Sequence, residues 1–217
     1  TSVCYLIQDS NNDHITIFYP GAMDGKYAQP LEDELFEDTR LGVITVAARK
    51  DNEEFFEKCK KHDVPVVFGM KDDFDAFPEE FLKRLLTESK IIFTNEVERE
   101  IIERIYGFKD ITELFDIGEV DIIVTTLGKD GSICYIREEN GIRQEKIGIC
   151  KVENVVDATG SGDAYMAGFI YGYLNGYKPE ECCRLGGTLS YFILQAEGCC
   201  TNAPTEEQLL EKFKSFE

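Results

Sequence analysis

The sequence has few basic residues, no long apolar run and no methionine at its start. Lysine and arginine total 23 against 42 aspartates and glutamates, so the net charge of the 217-residue chain is −19. Binding of nucleic acid requires clustered basic side chains, and this balance argues against it. No apolar run approaches the roughly 20 residues that span a bilayer, and no signal peptide is present. We therefore expect no nucleic-acid partner and no membrane partner.

The absence of a secretory signal also bears on the eight cysteines, which then predict the reducing environment of the cytoplasm. The vicinal pairs Cys182-Cys183 and Cys199-Cys200 lack the CxxC spacing of a metal knuckle. Buried free thiols are therefore favoured over a metal or redox site. The chain begins at Thr1 with residues that already resemble a strand, so we expect the natural N-terminus to lie upstream.

The order of apolar segments indicates the fold class. Strand-like SVCYLI and HITIFY flank the turn-rich DSNND and predict a hairpin. Short β-branched runs then alternate with helical stretches, which is typical of a mainly parallel sheet covered by helices on both faces. The runs are 42–48, 64–69, 90–94 and 120–128, and the helical stretches are 51–61, 78–88 and 96–105. A second hairpin (GSICYIR, GIRQEKIG) and helices near 163–175, 179–196 and 205–216 complete an α/β fold.

One glycine-rich segment stands where a strand-like stretch becomes helical. It reads VVDATGSGDAYMAGF over residues 155–169, with Val155-Val156 predicted as the strand end and a helix from Asp163. The first backbone N–H groups of a helix have no partner within it, and the helix dipole adds positive charge there. Gly160, Ser161 and Gly162 would leave those groups accessible, so the loop predicts an anion hole.

Asp163 follows that loop directly. A carboxylate there would repel a bound phosphate unless it had a chemical role. One role is that of a general base, which removes the proton of a hydroxyl as the hydroxyl attacks the γ-phosphate of ATP. The alternative is a glycine-rich turn in which Asp163 is an ordinary acid of the first helical turn. The segment matches neither GxGxxG nor a Walker loop.

Residues 157–163 (DATGSGD) resemble the signature Asp-Thr-x-Gly-Ala-Gly-Asp of the ribokinase-like, phosphofructokinase-B type family of sugar and nucleoside kinases. Ala158 replaces the usual threonine and Ser161 the usual alanine. The resemblance implies a ribokinase-like fold and ATP-dependent phosphorylation of a primary hydroxyl, with Asp163 as base. The expected acceptor is an adenosine-like nucleoside or a sugar. The alternatives are a ribose- or fructose-type sugar kinase and a truncated, non-catalytic nucleotide-binding module.

A second segment, Asn95-Glu96-Val97-Glu98, resembles the Asn-x-x-Glu motif of that family. The resemblance implies that Asn95 and Glu98 help to place Mg²⁺, with Glu98 acting through water. The same residues also match a capping box, in which Asn95 caps a helix and Glu98 reaches back to it. The two interpretations are compatible.

Two further segments resemble parts of the nucleotide site. TLGKDG at 126–131 resembles the strand-to-turn segment that lines it, which implies contacts of Thr126, Gly128 and Gly131 with ATP. The alternative is a strand that exits into a hairpin. The loop AEGC at 196–199 resembles one that, together with Asp157 and Thr159, holds a monovalent cation such as K⁺.

The start of the chain resembles the lid hairpin of bacterial and archaeal adenosine or nucleoside kinases. The resemblance implies two units, an incomplete β lid at 1–24 and an α/β nucleotide-binding and catalytic domain at 25–217. It also implies a homodimer that forms through the lid. The N-terminal segment of the family, which carries much of the acceptor pocket, has no counterpart in this sequence.

Overall fold

The structure is a computed structural model that describes residues 2–8, 14–24 and 29–216. Thr1, the turn of the first predicted hairpin (9–13) and the predicted domain boundary (25–28) lie outside the described residues. The strands are β1 (Val3–Gln8), β2 (His14–Tyr19), β3 (Gly42–Ile44), β4 (Val66–Gly69), β5 (Ile91–Asn95), β6 (Ile122–Thr126), β7 (Ser132–Glu138) and β8 (Gly141–Ile147). The α-helices are α1 (Arg49–Lys61), α2 (Glu79–Glu88), α3 (Glu96–Tyr106), α4 (Leu114–Ile117), α5 (Ser161–Leu174), α6 (Pro179–Ile193) and α7 (Glu206–Phe213).

The central sheet has six strands in the order β3-β4-β5-β6-β7-β8. The first four strands pair in parallel, and Phe68, Ile92 and Ile123 lie side by side across β4, β5 and β6. β7 is antiparallel to β6, and β8 is antiparallel to β7. The predicted α/β fold with a mainly parallel sheet is therefore confirmed. The second predicted hairpin is also confirmed, and it extends this sheet.

The central strands β4, β5 and β6 are buried on both faces, which explains why they are almost continuously apolar. Alternate residues of a strand point to opposite faces. Phe68, Ile92 and Ile123 belong to a core that includes residues of α1, α2 and α3. Their neighbours Val67 and Ile91 belong to a second core, which includes residues of α5 and α6. This arrangement leaves the carboxyl ends of β4, β5 and β6 at one edge of the sheet.

Two predicted boundaries before α5 are wrong. The helix begins at Ser161 rather than at Asp163, because Gly160 adopts φ 79° and serves as its N-cap. Val155 and Val156 form no strand. Both are exposed, and the Val156 N–H donates to the carbonyl of Leu194 at the end of α6 instead of to a neighbouring strand. The other predicted helices and strands are present with shifts of a few residues, while the short α4 was not predicted.

The first hairpin is present as predicted and stands apart from the central sheet. β1 and β2 pair antiparallel, with Tyr5 opposite Ile17, and form a two-stranded sheet of their own. One face of this ribbon is entirely apolar and 40–68% exposed; it consists of Val3, Tyr5, Ile7, Ile15, Ile17 and Tyr19. Within the described ranges, no helix has the length and apolarity needed to cross a membrane.

Candidate active site

The N-terminus of α5 is open towards solvent. No side chain caps it, since its N-cap is Gly160 in the left-handed region. A Cβ at Gly160 would lie 2.4 Å from the Cβ of Cys199, so both the backbone conformation and the close approach require glycine. A Cβ at Gly162 would have no heavy atom within 4 Å. The space in front of Gly162 is therefore free for a ligand.

The backbone N–H groups of this turn differ in availability. Ser161 donates its N–H to the carbonyl of Ala158 at 3.2 Å, which closes a turn. Among the described residues, the N–H groups of Gly160 and Gly162 have no acceptor. Unpaired N–H groups at the positive end of a helix attract anions. The predicted anion hole thus has two free donors, from Gly160 and Gly162.

Asp157 holds the glycine loop in place. Its carboxylate oxygens accept the N–H groups of Gly198 and Thr159, each at 2.9 Å. These backbone hydrogen bonds, the one from Gly198 first, lower the pKa of Asp157. Ser190 of α6 donates its hydroxyl to the carbonyl of Ser161 at 2.8 Å. The predicted cation-binding residues Asp157 and Thr159 therefore do lie beside the 196–199 loop.

The N-terminus of α3 is closed by its own side chains. Asn95 Oδ1 accepts the Glu98 N–H at 2.8 Å, and Glu98 Oε2 accepts the Asn95 N–H at 2.7 Å. This is the predicted capping box. Glu98 is only 6% exposed, and burial raises its pKa although the Asn95 N–H acts in the opposite direction. Glu98 Oε1 has no hydrogen-bond partner among the described residues.

A small cleft of about 80 Å³ connects the two helix starts. Asp163, the third residue of α5, and Glu98 both line it, and the charge of Asp163 contributes to the raised pKa of Glu98 after burial and Asp72. The carboxyl ends of three parallel strands supply most of the remaining lining. The lining residues are Thr45, Gly69, Met70, Lys71, Phe93, Thr94, Asn95, Glu98, Thr126, Gly162, Asp163 and Met166.

A larger cavity of about 430 Å³ adjoins this cleft and shares Thr126 and Gly162 with it. Its volume falls in the range of about 300–1,000 Å³ that is usual for small-molecule sites. The predicted Thr126, Gly128 and Gly131 all line it. Apolar residues after β8 and at the end of α6 form much of the remaining wall; they are Ile149, Cys150, Val152, Val155, Ala158, Tyr191 and Leu194. Lys129, Ser161 and Ser190 add polar groups to the lining.

The backbone at the rim of this cavity requires glycine at position 131. Its φ is 91°, and a Cβ there would lie 2.0 Å from the carbonyl of Ile147 at the end of β8. A larger residue would therefore push β8 away from the 126–131 segment. The alternative interpretation, a strand exit into a hairpin, also describes the segment, since β7 follows at Ser132.

The residues of the cavity and the cleft fit the two groups that the sequence implies, a nucleotide and Mg²⁺. The larger cavity has room for a nucleotide and mostly apolar walls, as expected for a base and sugar. The smaller cleft offers carboxylate and amide oxygens, which are hard ligands of the kind that Mg²⁺ prefers. The open N–H group of Gly162 lies at the boundary between cavity and cleft, since Gly162 lines both. Gly160 lines neither space and precedes this boundary by two residues.

Comparison with known proteins identifies the family of this chain. The model of a family described as pfkB family carbohydrate kinase matches residues 1–206. The chain belongs to the pfkB family. The match spans the helix start at 160–163, the capping box at 95–98 and the 126–131 turn.

The relatives of this pfkB chain include nucleoside and sugar kinases. It is 29% identical to the nucleoside kinase of Methanocaldococcus jannaschii, over 99% of this chain and 67% of the relative. It is 30% identical to an ATP-dependent 6-phosphofructokinase of Thermoanaerobacterium thermosaccharolyticum, over 92% of this chain and 64% of the relative. The solved structure of the Burkholderia thailandensis nucleoside kinase in complex with inosine has the same fold. Its TM-score is 0.86 at 24% identity, over 99% of this chain and 68% of that one. The chain therefore spans about two thirds of the length of these proteins.

Sequence reasoning missed or misjudged three features of the site. Lys71 lines the small cleft but belongs to no recognised motif. Val155 is apolar because it lines the larger cavity and not because it continues a strand. The prediction of buried thiols holds for Cys182 and Cys183 but is wrong for Cys199 and Cys200, which are exposed. Cys199 is close to Gly160, since a Cβ at Gly160 would lie 2.4 Å from the Cβ of Cys199.

Proposed function

We propose that this pfkB family member transfers the γ-phosphoryl group of ATP to a primary hydroxyl of a nucleoside, with adenosine as the first candidate. The observation that carries the proposal is the position of Asp163. It follows the open N–H groups of Gly160 and Gly162 and lines the same cleft as Glu98. A base, an anion hole and a metal-ordering acid therefore surround one small space, as phosphoryl transfer requires.

The reaction balances with Asp163 as the base. The acceptor oxygen attacks the γ-phosphorus of ATP, and a new O–P bond forms as the bond to the β–γ bridging oxygen breaks. ADP leaves, and the hydroxyl proton passes to a carboxylate oxygen of Asp163. The N–H groups of Gly160 and Gly162, with Ser161 between them, stabilise the negative charge on the transferring group.

In this proposal Asn95 and Glu98 would hold Mg²⁺, and Glu98 would do so through water. When bound, the ion supplies positive charge to the phosphate oxygens. The capping box supports this role, because it fixes the Glu98 side chain and leaves Oε1 without a protein partner among the described residues. We also propose that Asp157, Thr159 and the 196–199 loop hold a monovalent cation such as K⁺ beside the anion hole. The hydrogen bond between Asp157 and Gly198 supports this placement.

Nucleotide binding is assigned to the larger cavity. Thr126, Gly128 and Gly131 form its rim next to the cleft, and the apolar residues after β8 would face the base. This orientation directs the γ-phosphate towards Gly162, which lines both spaces.

A nucleoside acceptor is favoured by the similarity to the Methanocaldococcus nucleoside kinase over nearly the whole chain. A sugar kinase is the second candidate, since the 6-phosphofructokinase relative is similarly close. A nucleotide-binding module without turnover is the third, because the chain spans only about two thirds of these relatives.

One experiment separates the three candidates. ATP binding is measured at equilibrium, and turnover is screened with nucleosides and sugars, both on the 217-residue chain and on the chain with its upstream coding sequence. The proposal predicts ATP binding by the shorter chain and turnover with a nucleoside by the longer one. Turnover with sugars alone would contradict the acceptor, and ATP binding without any turnover by the longer chain would support the module.

We further propose that the hairpin of β1 and β2 is part of a lid over the acceptor, and that residues 1–24 and 25–217 act as separate units. The apolar face of the hairpin supports this, since six exposed apolar side chains favour contact with further strands or with a second copy in a homodimer. An isolated two-stranded hairpin is at best marginally stable in water.

Hydrogen exchange tests the lid. Amides of residues 3–8 and 14–19 should exchange with solvent much faster than those of 122–126 in a monomer. Equal protection of both regions in a monomer would contradict the lid.

A further inference from the structure

The small cleft carries negative charge that would repel a phosphate. Asp163 and Glu98 both line it, and the chain carries a net charge of −19. A terminal phosphate would bring further negative charge to the same space. Two backbone N–H groups and a hydrated metal ion offset part of this charge, but the carboxylates repel the phosphate at short range.

Lys71 is the one cationic side chain among the described residues that line this cleft. It stands at the carboxyl end of β4, the strand next to β5, which carries Asn95. Its backbone position is fixed on both sides. The Met70 N–H donates to the carbonyl of Phe93 at 2.9 Å, and the Asp73 N–H donates to the carbonyl of Lys71 at 2.9 Å.

Lys71 is not committed to another partner. It forms no ion pair with any of the described residues, although Asp72 and Asp73 follow it directly. Its charge is close enough to act on Glu98, whose pKa is raised by burial and partly lowered again by the Asn95 N–H and by Lys71. A half-buried lysine that lines the same cleft as Glu98 and Asp163, without an ion pair to either carboxylate, is available for an anionic ligand.

We propose that the Lys71 ammonium group binds the terminal phosphate of the nucleotide and holds it beside Asp163 and the N–H group of Gly162, which line the same cleft. This inference rests on the proposed function and adds a phosphate-binding residue to the same site. A compact ammonium group with three donors suits this role, because it neutralises charge without demanding one fixed geometry. The contact is made only to the phosphate that distinguishes ATP from ADP.

The test measures ATP and ADP affinities by calorimetry on the whole chain in the presence of Mg²⁺. Lys71→Met should weaken ATP binding at least tenfold while ADP binding changes less than twofold, and Lys71→Arg should restore most of the ATP affinity. Where turnover is present, Lys71→Met should lower kcat by about 10²-fold, as the loss of one charge-stabilising donor does. The control is Lys83→Met, an exposed lysine on α2, which should change neither affinity.

Two outcomes would overturn the inference. One is an unchanged ATP-to-ADP affinity ratio in Lys71→Met, which would limit Lys71 to balancing the charge of Glu98. The other is an equal loss of ATP and ADP affinity with a lowered urea midpoint, which would indicate a role in folding. The proposed kinase function fails separately, if the parent binds ATP but shows no turnover with its upstream segment restored. The affinity ratio still tests Lys71 in that case.

Discussion

Two helices, α3 and α5, begin at the same small cleft, and their first turns are built in opposite ways. α3 satisfies its own N-terminus, since Asn95 and Glu98 exchange hydrogen bonds with each other's backbone. α5 begins at Gly160 without a side-chain cap, and the N–H groups of Gly160 and Gly162 have no acceptor among the described residues. The first arrangement fixes an acid in place, while the second leaves donors for a ligand.

The two helix starts show that a side-chain cap and a glycine cap have different consequences for the same site. A capping box stabilises a helix by about 1 kcal/mol through its N-cap. α5 lacks this contribution and is held instead by Asp157 and Ser190, which bind the loop from outside. Asp157 and Ser190 thus stabilise the start of α5 in place of a cap. The free N–H groups of Gly160 and Gly162 remain available for a ligand.

The largest expected effect comes from removing the acid of the open helix. Asp163→Asn keeps the size of the side chain but replaces the carboxylate by a neutral amide, which is not a base at this pH. Turnover of the chain with its upstream segment should fall by about 10²–10⁴-fold, as is usual on loss of a general base. ATP affinity should stay within threefold of the parent, and both are measured on the same preparation.

Asp116→Asn is the matched control, because Asp116 is exposed on α4, away from the cleft. It should leave turnover unchanged. A turnover number of Asp163→Asn within threefold of the parent would remove Asp163 from the chemistry, and α5 would then be a helix start with an ordinary first-turn acid.

A smaller effect is expected when the open space in front of α5 is filled. Gly162→Ala places a methyl group where a Cβ meets no protein atom. We expect ATP affinity to fall about tenfold, since the loss of charge-assisted hydrogen bonds costs about 1.5–3 kcal/mol and only part of the contact is blocked. The free energy of unfolding should instead rise by about 0.5 kcal/mol, because alanine is the better helix residue.

Gly160→Ala is the informative counterpart. It should destabilise the chain, because the residue has φ 79° and a Cβ would lie 2.4 Å from Cys199. The two variants therefore separate ligand access from structure. If Gly162→Ala leaves ATP affinity intact, no ligand approaches that helix start.

The smallest effect is expected at the self-capped helix. Glu98→Gln retains a capping side chain but removes the charge, so the Mg²⁺ concentration for half-maximal rate should rise severalfold while the helix stays capped. An unchanged Mg²⁺ titration would leave Glu98 with the capping role alone, and Glu139→Gln, at an exposed position, serves as the control.

Glu98→Gln should also change the dependence of stability on pH. Burial raises the pKa of Glu98 above its ordinary value of 4.5, so the folded state holds this proton more tightly than the unfolded state. Stability of the parent therefore falls as pH rises from 4.5 through the folded pKa, and the loss is complete above it. The variant lacks this contribution. The difference in free energy of unfolding, variant minus parent, should therefore increase between pH 4.5 and pH 7.5. It is measured by urea unfolding without Mg²⁺.

Much of this arrangement could be predicted from the sequence. The alternation of β-branched runs and helices fixes the sheet, because each buried strand must be apolar on both faces. The capping box at 95–98 and the glycine loop at 160–162 are local patterns, and local patterns can be recognised without knowing the neighbours.

The remaining features depend on which elements lie side by side. Lys71 faces the cleft only because β4 is next to β5 in the sheet, which no local pattern around residue 71 indicates. Val155 has the composition of a strand residue but is apolar because it lines a cavity. Cys199 lies against the glycine loop because the hydrogen bond between the Gly198 N–H and Asp157 holds its own loop over Gly160.

The difference between the two helix starts is tested most directly by amide chemical shifts of the ¹⁵N-labelled chain, titrated with a non-hydrolysable ATP analogue and Mg²⁺. The experiment needs no acceptor and no turnover. Of the two helix starts, that of α5 should respond more strongly: the N–H signals of Gly160 and Gly162 should show the largest shifts, since these donors are free. The Asn95 and Glu98 signals should move little because their N–H groups are already bonded. Unchanged Gly160 and Gly162 signals at saturating nucleotide would contradict the assignment of α5 as the phosphate-binding helix.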